Sequence, residues 1–307
     1  MAITVIEQLV KGKRGAEYCE DGIIVTPDFV AVIDGSTSKS LLPELPDGRS
    51  RGQVAMLSVK QTVSRVAPDI TLADFCQAAT ADLRQQYAEL YPHDMMPHMA
   101  AHAEDRFCCS AVVYSLWHNE IWLIGDCHCL LVNQNGSTTG ATSHSIGTAT
   151  CPSAAGTCPS ARTTYHSNDK PYEQMMAQRR ADYLRKALDE GRYTTADLRR
   201  HDYGRDLLLP DFPTVMRGEN TEYAVIDGFP IYMEGVKTVS VNPGDEIVLA
   251  SDGYPRLFPT LQETEQFLCD YKQRDPLFIR DIVCTKGWME GNDSFDDRSY
   301  IRFNVLE

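Results

Sequence analysis

Acidic residues stand at the ends of apolar runs at several points along this chain. Phe29-Val-Ala-Val-Ile-Asp34-Gly35 and Glu246-Ile-Val-Leu-Ala-Ser-Asp252-Gly253 run through β-type residues to an Asp-Gly pair, and Ile121-Trp-Leu-Ile-Gly-Asp126 ends on a further acid. Asp296-Asp297 does the reverse, opening the run from Arg298 to Val305, and Glu20-Asp21-Gly22 opens the run that leads to Asp34. Antiparallel neighbours in one sheet would bring these carboxylates to one end. Carboxylates crowded at the edge of an apolar sheet repel one another unless cations neutralise them, and hard divalent ions take oxygen ligands. The pattern predicts a divalent-metal site.

Asp-Gly alone is an ordinary turn pair, and the chain carries its own control. Ala31-Val-Ile-Asp-Gly35 recurs as Ala224-Val-Ile-Asp-Gly228. The first copy has the paired acid Glu20-Asp21 upstream; the second has no such pair, and Phe229-Pro230 follows it. Asp34 is therefore expected at the site and Asp227 in a turn.

Strands are expected over 3–10, 22–34, 107–117 and 120–133, with His118-Asn119 as a tight turn, from β-branched content and short apolar runs. Helical spacing marks 53–66, stopped by Pro68, then 72–90, and 172–188, closed by Gly191. On that third helix Arg179-Arg180 and Arg185-Lys186 read as a solvated face. Further strands are expected near 222–226, 231–240 and 246–251, helices near 262–273 and 276–287, and a final strand over 299–306. This order suggests a layered α+β sandwich and not an alternating parallel sheet. Residues 134–171 are rich in Gly, Ser, Thr and Pro and hold the short repeat Thr150-Cys-Pro-Ser-Ala154 and Thr157-Cys-Pro-Ser-Ala161. They are expected to be a mobile flap or insert within a single domain spanning 1–307.

The formal charge of −14 argues against nucleic acid and against an anionic membrane surface as partners. Ten cysteines without a Cys-x-x-Cys pair read as reduced core thiols. The start lacks a basic region followed by an apolar one, and no apolar stretch approaches the ~18 residues of a membrane span. A soluble, cytoplasmic protein is expected.

In chain order, Glu20-Asp21, Val32-Ile-Asp34-Gly35-Ser36-Thr37, Cys109-Ser-Ala-Val-Val113, Ile124-Gly-Asp126, Gly244-Asp-Glu-Ile-Val-Leu-Ala-Ser-Asp252-Gly253 and Asp296-Asp297-Arg298-Ser299 resemble the type 2C metal-dependent serine/threonine protein phosphatases. The resemblance runs from about residue 17 to 305, and the Leu-Ala-Ser-Asp-Gly string is its most specific part. It implies a four-layer α-β-β-α sandwich of two antiparallel sheets, with two Mn²⁺ or Mg²⁺ ions in a cleft at one end. It further implies hydrolysis of phosphoserine or phosphothreonine in a protein substrate by a metal-activated water. Asp34 would bridge both ions, Glu20 and the Gly35 carbonyl would hold one, and Asp252 and Asp296 the other. Asp34, Asp252 and Asp296 would thus form the catalytic centre. Asp21 would hold metal-bound waters, and Asp126 with Asp252 matches a third, weaker metal position.

Two positions depart from the family pattern. Ala16 stands where the family carries a phosphate-gripping Arg, which makes Arg14 the nearest substitute, with Lys11 and Lys13 beside it. Ser36-Thr37 stands where eukaryotic members carry a His that is a candidate leaving-group acid; His128 and Asp126 are the next groups to consider. No Cys-x5-Arg or Gly-x-Ser-x-Gly nucleophile signature is present. Alternatives are a phosphatase-fold binding module without turnover and a small-molecule phosphomonoesterase.

Overall fold

The computed structural model describes residues 2–133, 162–242 and 244–306. The strands are β1 (Ala2–Lys11), β2 (Asp21–Val25), β3 (Phe29–Gly35), β4 (Cys109–Ser115), β5 (Glu120–Ile124), β6 (His128–Asn133), β7 (Arg162–His166), β8 (Lys237–Ser240), β9 (Asp245–Ala250) and β10 (Arg298–Leu306). They form two five-stranded sheets, ordered β2-β3-β4-β5-β8 and β1-β10-β9-β6-β7. Every pairing is antiparallel.

Alternation along the central strands explains the layering. Val30 and Val32 of β3, with Val112 and Tyr114 of β4, face Ile247, Leu249, Ile301 and Phe303 of the other sheet in a core between the sheets. The intervening Ala31, Ile33, Ala111 and Val113 face outward onto helices α1 (Arg51–Arg65) and α2 (Leu72–Leu90). Both faces of β3 and β4 are covered, so these strands read as unbroken apolar runs. Ser50 opens α1 with a reciprocal capping box to Gln53, and Thr71 caps α2 through Asp74. Between α2 and β4 lies the short α3 (Met96–Ala101).

On the far side, Val248, Ala250 and Tyr300 bury their outward faces against Leu268 and Tyr271 of α8 (Leu261–Arg274), together with Phe278, Trp288 and Phe295. The four-layer α-β-β-α sandwich is thereby complete. A helical insert, α4 (Glu173–Asp189), α5 (Thr195–Arg200), α6 (Tyr203–Leu208) and α7 (Phe212–Met216), lies between β7 and β8 in the chain.

Several boundaries differ from the sequence reading, each for a local reason. The stretch 22–34 is a hairpin, broken where the Thr26 hydroxyl accepts the backbone N–H groups of Asp28 and Phe29. Residues 120–133 are two strands in different sheets, parted at Gly125 with φ +90°. A Cβ at Gly125 would lie 2.2 Å from the Ser110 hydroxyl, so only glycine fits this crossing. Near 222–226 there is a bridge of Ile226 to Cys109, not a strand, and within 231–240 the strand is confined to 237–240. Residues 276–287 are irregular: the Asp275 carboxylate accepts the N–H groups of Ile279 and Arg280 and stops a helix from forming.

Most of the expected flap, residues 134–161, lies outside the described residues, whereas 162–166 form β7 against β6. The insert helices α5 to α7 were not anticipated. Arg180 is not solvated. It is fully buried, and its guanidinium clasps Asp202 at 2.7 Å and donates to the Leu277 carbonyl, which fixes α4 to α6 and to the 276–287 segment.

Candidate active site

The carboxylates meet at one end of the sandwich, but they come from both sheets and not from one. Asp34 closes β3 of the first sheet, while Asp252 follows β9 and Asp296 precedes β10 of the second. Asp34, Gly35, Asp126, Asp252 and Asp296 all line a single cleft. The Asp252 turn is locked to the Asp296 turn by Ser251 N–H donating to the Ser299 carbonyl at 3.1 Å and Ser299 N–H donating to the Ser251 hydroxyl at 2.9 Å. Gly253 permits the contact, because a Cβ there would fall 1.9 Å from the Asp297 carbonyl oxygen.

Glu20 and Asp21 stand behind the cleft wall. Asp21 lies directly opposite Asp34 in the β2–β3 register, which places two carboxylates side by side. One Asp21 oxygen accepts the Ser299 hydroxyl at 2.9 Å, and the other is buried with no partner. Glu20 accepts the hydroxyls of Thr37 at 2.7 Å and of Ser50, the α1 cap, at 2.6 Å. Asp297 links the two halves by accepting the backbone N–H of Lys13 at 2.7 Å and that of Glu20 at 3.0 Å. Gly35 N–H donates to the Glu20 carbonyl at 3.0 Å, and a Cβ on Gly35 would lie 2.5 Å from the Gly52 carbonyl oxygen.

Arg14 does not join this cluster. It is exposed, with its guanidinium 5.7 Å from the centre of the Tyr18 ring. Lys13, on the opposite face of the same segment, reaches in instead: its ammonium lies 2.9 Å from Asp296 and 3.1 Å from the Thr37 hydroxyl. Lys286 contacts the other Asp296 oxygen. Asp126 is buried and held by the Ser110 hydroxyl and by Lys170 at 2.7 Å. His128 is buried with Nδ1 2.9 Å from the Tyr165 hydroxyl and does not line the cleft.

Electrostatics separate the held acids from the crowded ones. Burial, followed by the charges of Asp252, Asp21 and Asp126, pushes Asp34 well above the ordinary carboxylate range. Burial raises Asp21 to about 7 against the pull of Ser251 and Ser299. Glu173, at the start of α4, is raised to about 8 by burial and by the Asp126 charge. Burial opposes ionisation of Asp126 too, but Lys170 outweighs it and the net shift is downward. On the cationic side, burial lowers Lys39 to about 7, with the neighbouring Arg205 and Lys286 acting in the same direction.

The donor set suits a hard divalent cation. Oxygen atoms of Asp126, Glu173 and Asp252 lie within 4.8 Å of one another, and Asp34 lines the same cleft as Asp252, whose charge helps to raise it. All-oxygen donors of this kind suit Mg²⁺ or Mn²⁺. Asp296 differs, because both of its oxygens already meet ammonium groups. Glu173, Lys170, Lys286, Lys39 and Arg205 escaped the sequence reading. An acid in the first turn of a helix is an ordinary dipole partner, and the four cations fall in segments without a motif.

No protein-family model and no curated protein matches the chain. Among solved structures it is similar to the catalytic domain of the serine/threonine protein phosphatase PstP in complex with two manganese ions, at 13% identity and TM-score 0.48 over 100% of this chain and 99% of that one. It is also similar to the PPM Ser-Thr phosphatase MsPP from Mycobacterium smegmatis in complex with cacodylate, at 13% identity and TM-score 0.45 over 100% of each chain. Stp1, a serine/threonine phosphatase from Staphylococcus aureus, gives 11% identity and TM-score 0.44 over 100% of this chain and 98% of that one.

Proposed function

We propose that the protein is a metal-dependent phosphatase acting on phosphoserine or phosphothreonine in protein substrates. One observation carries the reading: Asp34 and Asp252, brought from two different sheets, line one cleft with Asp126, and Asp21 lies opposite Asp34 in the adjoining strand. Like charges packed this way destabilise a fold unless a cation completes them.

Two Mn²⁺ or Mg²⁺ ions would be held by Asp34 and Asp252 together with Glu20, the Gly35 carbonyl and Asp296; Asp126 and Glu173 stand beside Asp252 for a further ion. When bound, such ions acidify water and neutralise phosphoryl oxygens during in-line displacement. The chain's own contribution is positioning. Thr37 and Ser50 fix the Glu20 carboxylate, Asp297 fixes the backbone on both sides of it, and Lys170 keeps Asp126 ionised. Lys13 and Lys286 supply positive charge beside Asp296 and offer it to a phosphoryl group once a metal takes that carboxylate.

Among the described residues no helix is long and apolar enough to cross a membrane. The cysteines there are free thiols, which supports a reducing compartment such as the cytoplasm.

Turnover of p-nitrophenyl phosphate and of a phosphothreonine peptide with Mn²⁺, and again with excess chelator, tests the proposal. Activity with Mn²⁺ that the chelator abolishes is the expected result. Turnover indifferent to chelator, or no Mn²⁺ binding by calorimetry, would overturn it.

A further inference from the structure

Two cations reach the cleft from outside its carboxylate floor, Arg205 from the helical insert and Lys39 from the segment between β3 and α1. Lys39 and Arg205 line the same cleft as Asp34 and Asp252, yet neither forms an ion pair with an acid among the described residues. Asp202, which opens α6 beside Arg205, is already engaged. It accepts the Arg205 backbone N–H at 2.9 Å and takes the Arg180 guanidinium at 2.9 and 2.7 Å. Glu20, which acts on Lys39, is held by Thr37 and Ser50. Glu219 and Glu173 line the same cleft and act on Lys39 and Arg205 through space, without an ion pair to either among the described residues.

An aromatic ring and two carbonyls hold these cations instead. The Arg205 guanidinium lies 4.4 Å and the Lys39 ammonium 5.4 Å from the centre of the Phe212 ring. Arg205 also donates to the Thr285 carbonyl at 3.1 Å, and Lys39 donates to the Thr37 carbonyl. Such partners place a charge without neutralising it. Two half-buried cations converging on one ring repel each other until an anion joins them. The overall charge of −14 also repels an anionic substrate at long range, so its recognition must come from local, focused cations.

The reacting phosphoryl group has its own cations. Lys13 and Lys286 sit at Asp296 and Lys170 sits at Asp126, all on the carboxylate floor. Arg205 and Phe212 belong to α6 and α7, and with Lys39 they form a wall that makes no ion pair with that floor.

We propose that Lys39 and Arg205, carried on Phe212, form a subsite for a second anionic group of the substrate, the carboxylate of an acidic residue beside the phosphorylated one. The proposal rests on the phosphatase reading and narrows the substrate class to acidic phosphopeptides. Arg205 supplies a planar fork suited to a carboxylate, and Lys39 a point charge beside it.

The test compares wild type, Arg205→Met and Lys39→Met on three substrates with Mn²⁺: p-nitrophenyl phosphate, a phosphothreonine peptide flanked by Gln, and the same peptide flanked by Glu. Wild type should show the lowest KM for the Glu-flanked peptide. Each variant should raise that KM about tenfold more than it raises the KM for p-nitrophenyl phosphate, the order expected of a lost charge-assisted hydrogen bond. Arg205→Lys should recover part of the loss. Equal rises on all three substrates would place the reacting phosphoryl group on these residues and overturn the proposal, as would a wild type indifferent to the flanking residue.

Anisotropy of the labelled Glu-flanked phosphopeptide in chelator separates this failure from that of the phosphatase reading. An enzyme without turnover whose wild type still binds the peptide about tenfold tighter than Arg205→Met retains the subsite and loses only the activity. Equal binding by wild type and both variants overturns the subsite. Should Arg205→Met not fold, Lys39→Met gives the same readout.

Discussion

Ala31-Val-Ile-Asp-Gly35 and Ala224-Val-Ile-Asp-Gly228 are identical in sequence and flank the same residue of β4. Gly35 is paired with Cys109 on one side, and Ile226 exchanges backbone hydrogen bonds of 2.9 and 3.0 Å with Cys109 on the other. Their carboxylates meet opposite fates. Asp227 is fully buried and receives the Arg106 guanidinium at 2.9 Å, the Asn220 amide at 2.8 Å and the Phe229 N–H at 2.9 Å. Asp34 faces Asp252 and has Asp21 opposite it in register. One acid has a counter-charge built permanently into the protein, whereas the other is surrounded by acids. A missing partner, and not the five-residue string, sets the Asp34 carboxylate apart from that of Asp227.

The sharpest way to break this comparison is to neutralise each acid in turn. Asp34→Asn should cut Mn²⁺-dependent turnover by more than about a hundredfold, since partners one step removed from a metal already cost about 10–100-fold. The same change should leave the metal-free fold as stable or more so, because it removes a crowded charge. Asp227→Asn should do the opposite and leave buried Arg106 with only the longer 3.8 Å pair to Glu219, at a cost of up to about 3–5 kcal/mol. Activity per folded molecule should persist. Thermal melts beside kinetics decide it, and equal activity losses in the two variants would sink the assignment.

The glycines that end the two strings extend the contrast. A Cβ on Gly35 would meet backbone oxygens of Gly52 at 2.5 Å and of Glu20 at 2.7 Å, neither able to yield alone. Gly35→Ala should therefore displace Glu20 and the start of α1, with a loss of activity measurable before any loss of fold. Gly228 has φ +85°, and its Cβ would touch Tyr87 at 2.8 Å. There the strain is conformational, about 1–2 kcal/mol, with a steric clash against the buried Tyr87 ring added to it, so Gly228→Ala should lower the melting temperature and spare turnover.

Proton linkage offers a third contrast, to be read in the metal-free protein. The folded pKa of Asp21 is raised from 3.8 to about 7, and Asp34 moves in the same direction. Between those values the folded state holds protons that the unfolded state has released, so stability falls as pH rises through that window. Glu173 and Glu219, both raised to about 8 by burial, carry the fall somewhat beyond it. Melts in chelator should show this decline. Mn²⁺ in the wild type should flatten it, whereas Asp34→Asn without metal should remove only the Asp34 share, since Asp21 is raised chiefly by its own burial. A flat profile in chelated wild type would show that these carboxylates are not raised.

Much of this arrangement was legible in the sequence, and what was not has physical causes. The central strands were readable because burial on both faces leaves unbroken apolar runs. Asp34, Asp126, Asp252 and Asp296 were readable because each abuts such a run, and the structure brings all four to one cleft. That they come from two sheets was not visible in spacing, which does not reveal the crossing at Gly125. Arg14 was favoured for its charge type, yet alternation along the segment sends Lys13 inward and Arg14 toward Tyr18. Asp227, set apart by its sequence neighbours, does not line that cleft, but its buried bond to Arg106, 121 residues away in the chain, leaves no local trace. Lys39, Glu173 and Arg205 come together only through tertiary packing. The helix that begins at Glu173 was readable from its spacing, but the five- and six-residue helices that bring Arg205 and Phe212 to the cleft are too short to show a period.

The smallest expected effect concerns how firmly each acid's counter-charge is held. Arg106 cannot leave Asp227, since it also donates to the Met99 carbonyl and lies 4.3 Å from the Phe229 ring centre. Lys286 is only lightly tied: its side chain is 30% exposed and its ion pair is with Asp296. Under the proposed function it would be a displaceable occupant, competing with a divalent ion for the Asp296 carboxylate. Lys286→Met should tighten Mn²⁺ binding by no more than about fivefold, the range of a partly exposed ion pair. It should also raise the KM for phosphorylated substrates, because the released ammonium is then missing from the phosphoryl group. Calorimetric titration with Mn²⁺ measures the first effect and steady-state kinetics the second. If Lys286→Met instead weakened Mn²⁺ binding, the lysine would be a support for Asp296 and not a competitor, and the difference between the two acids would lie in burial alone.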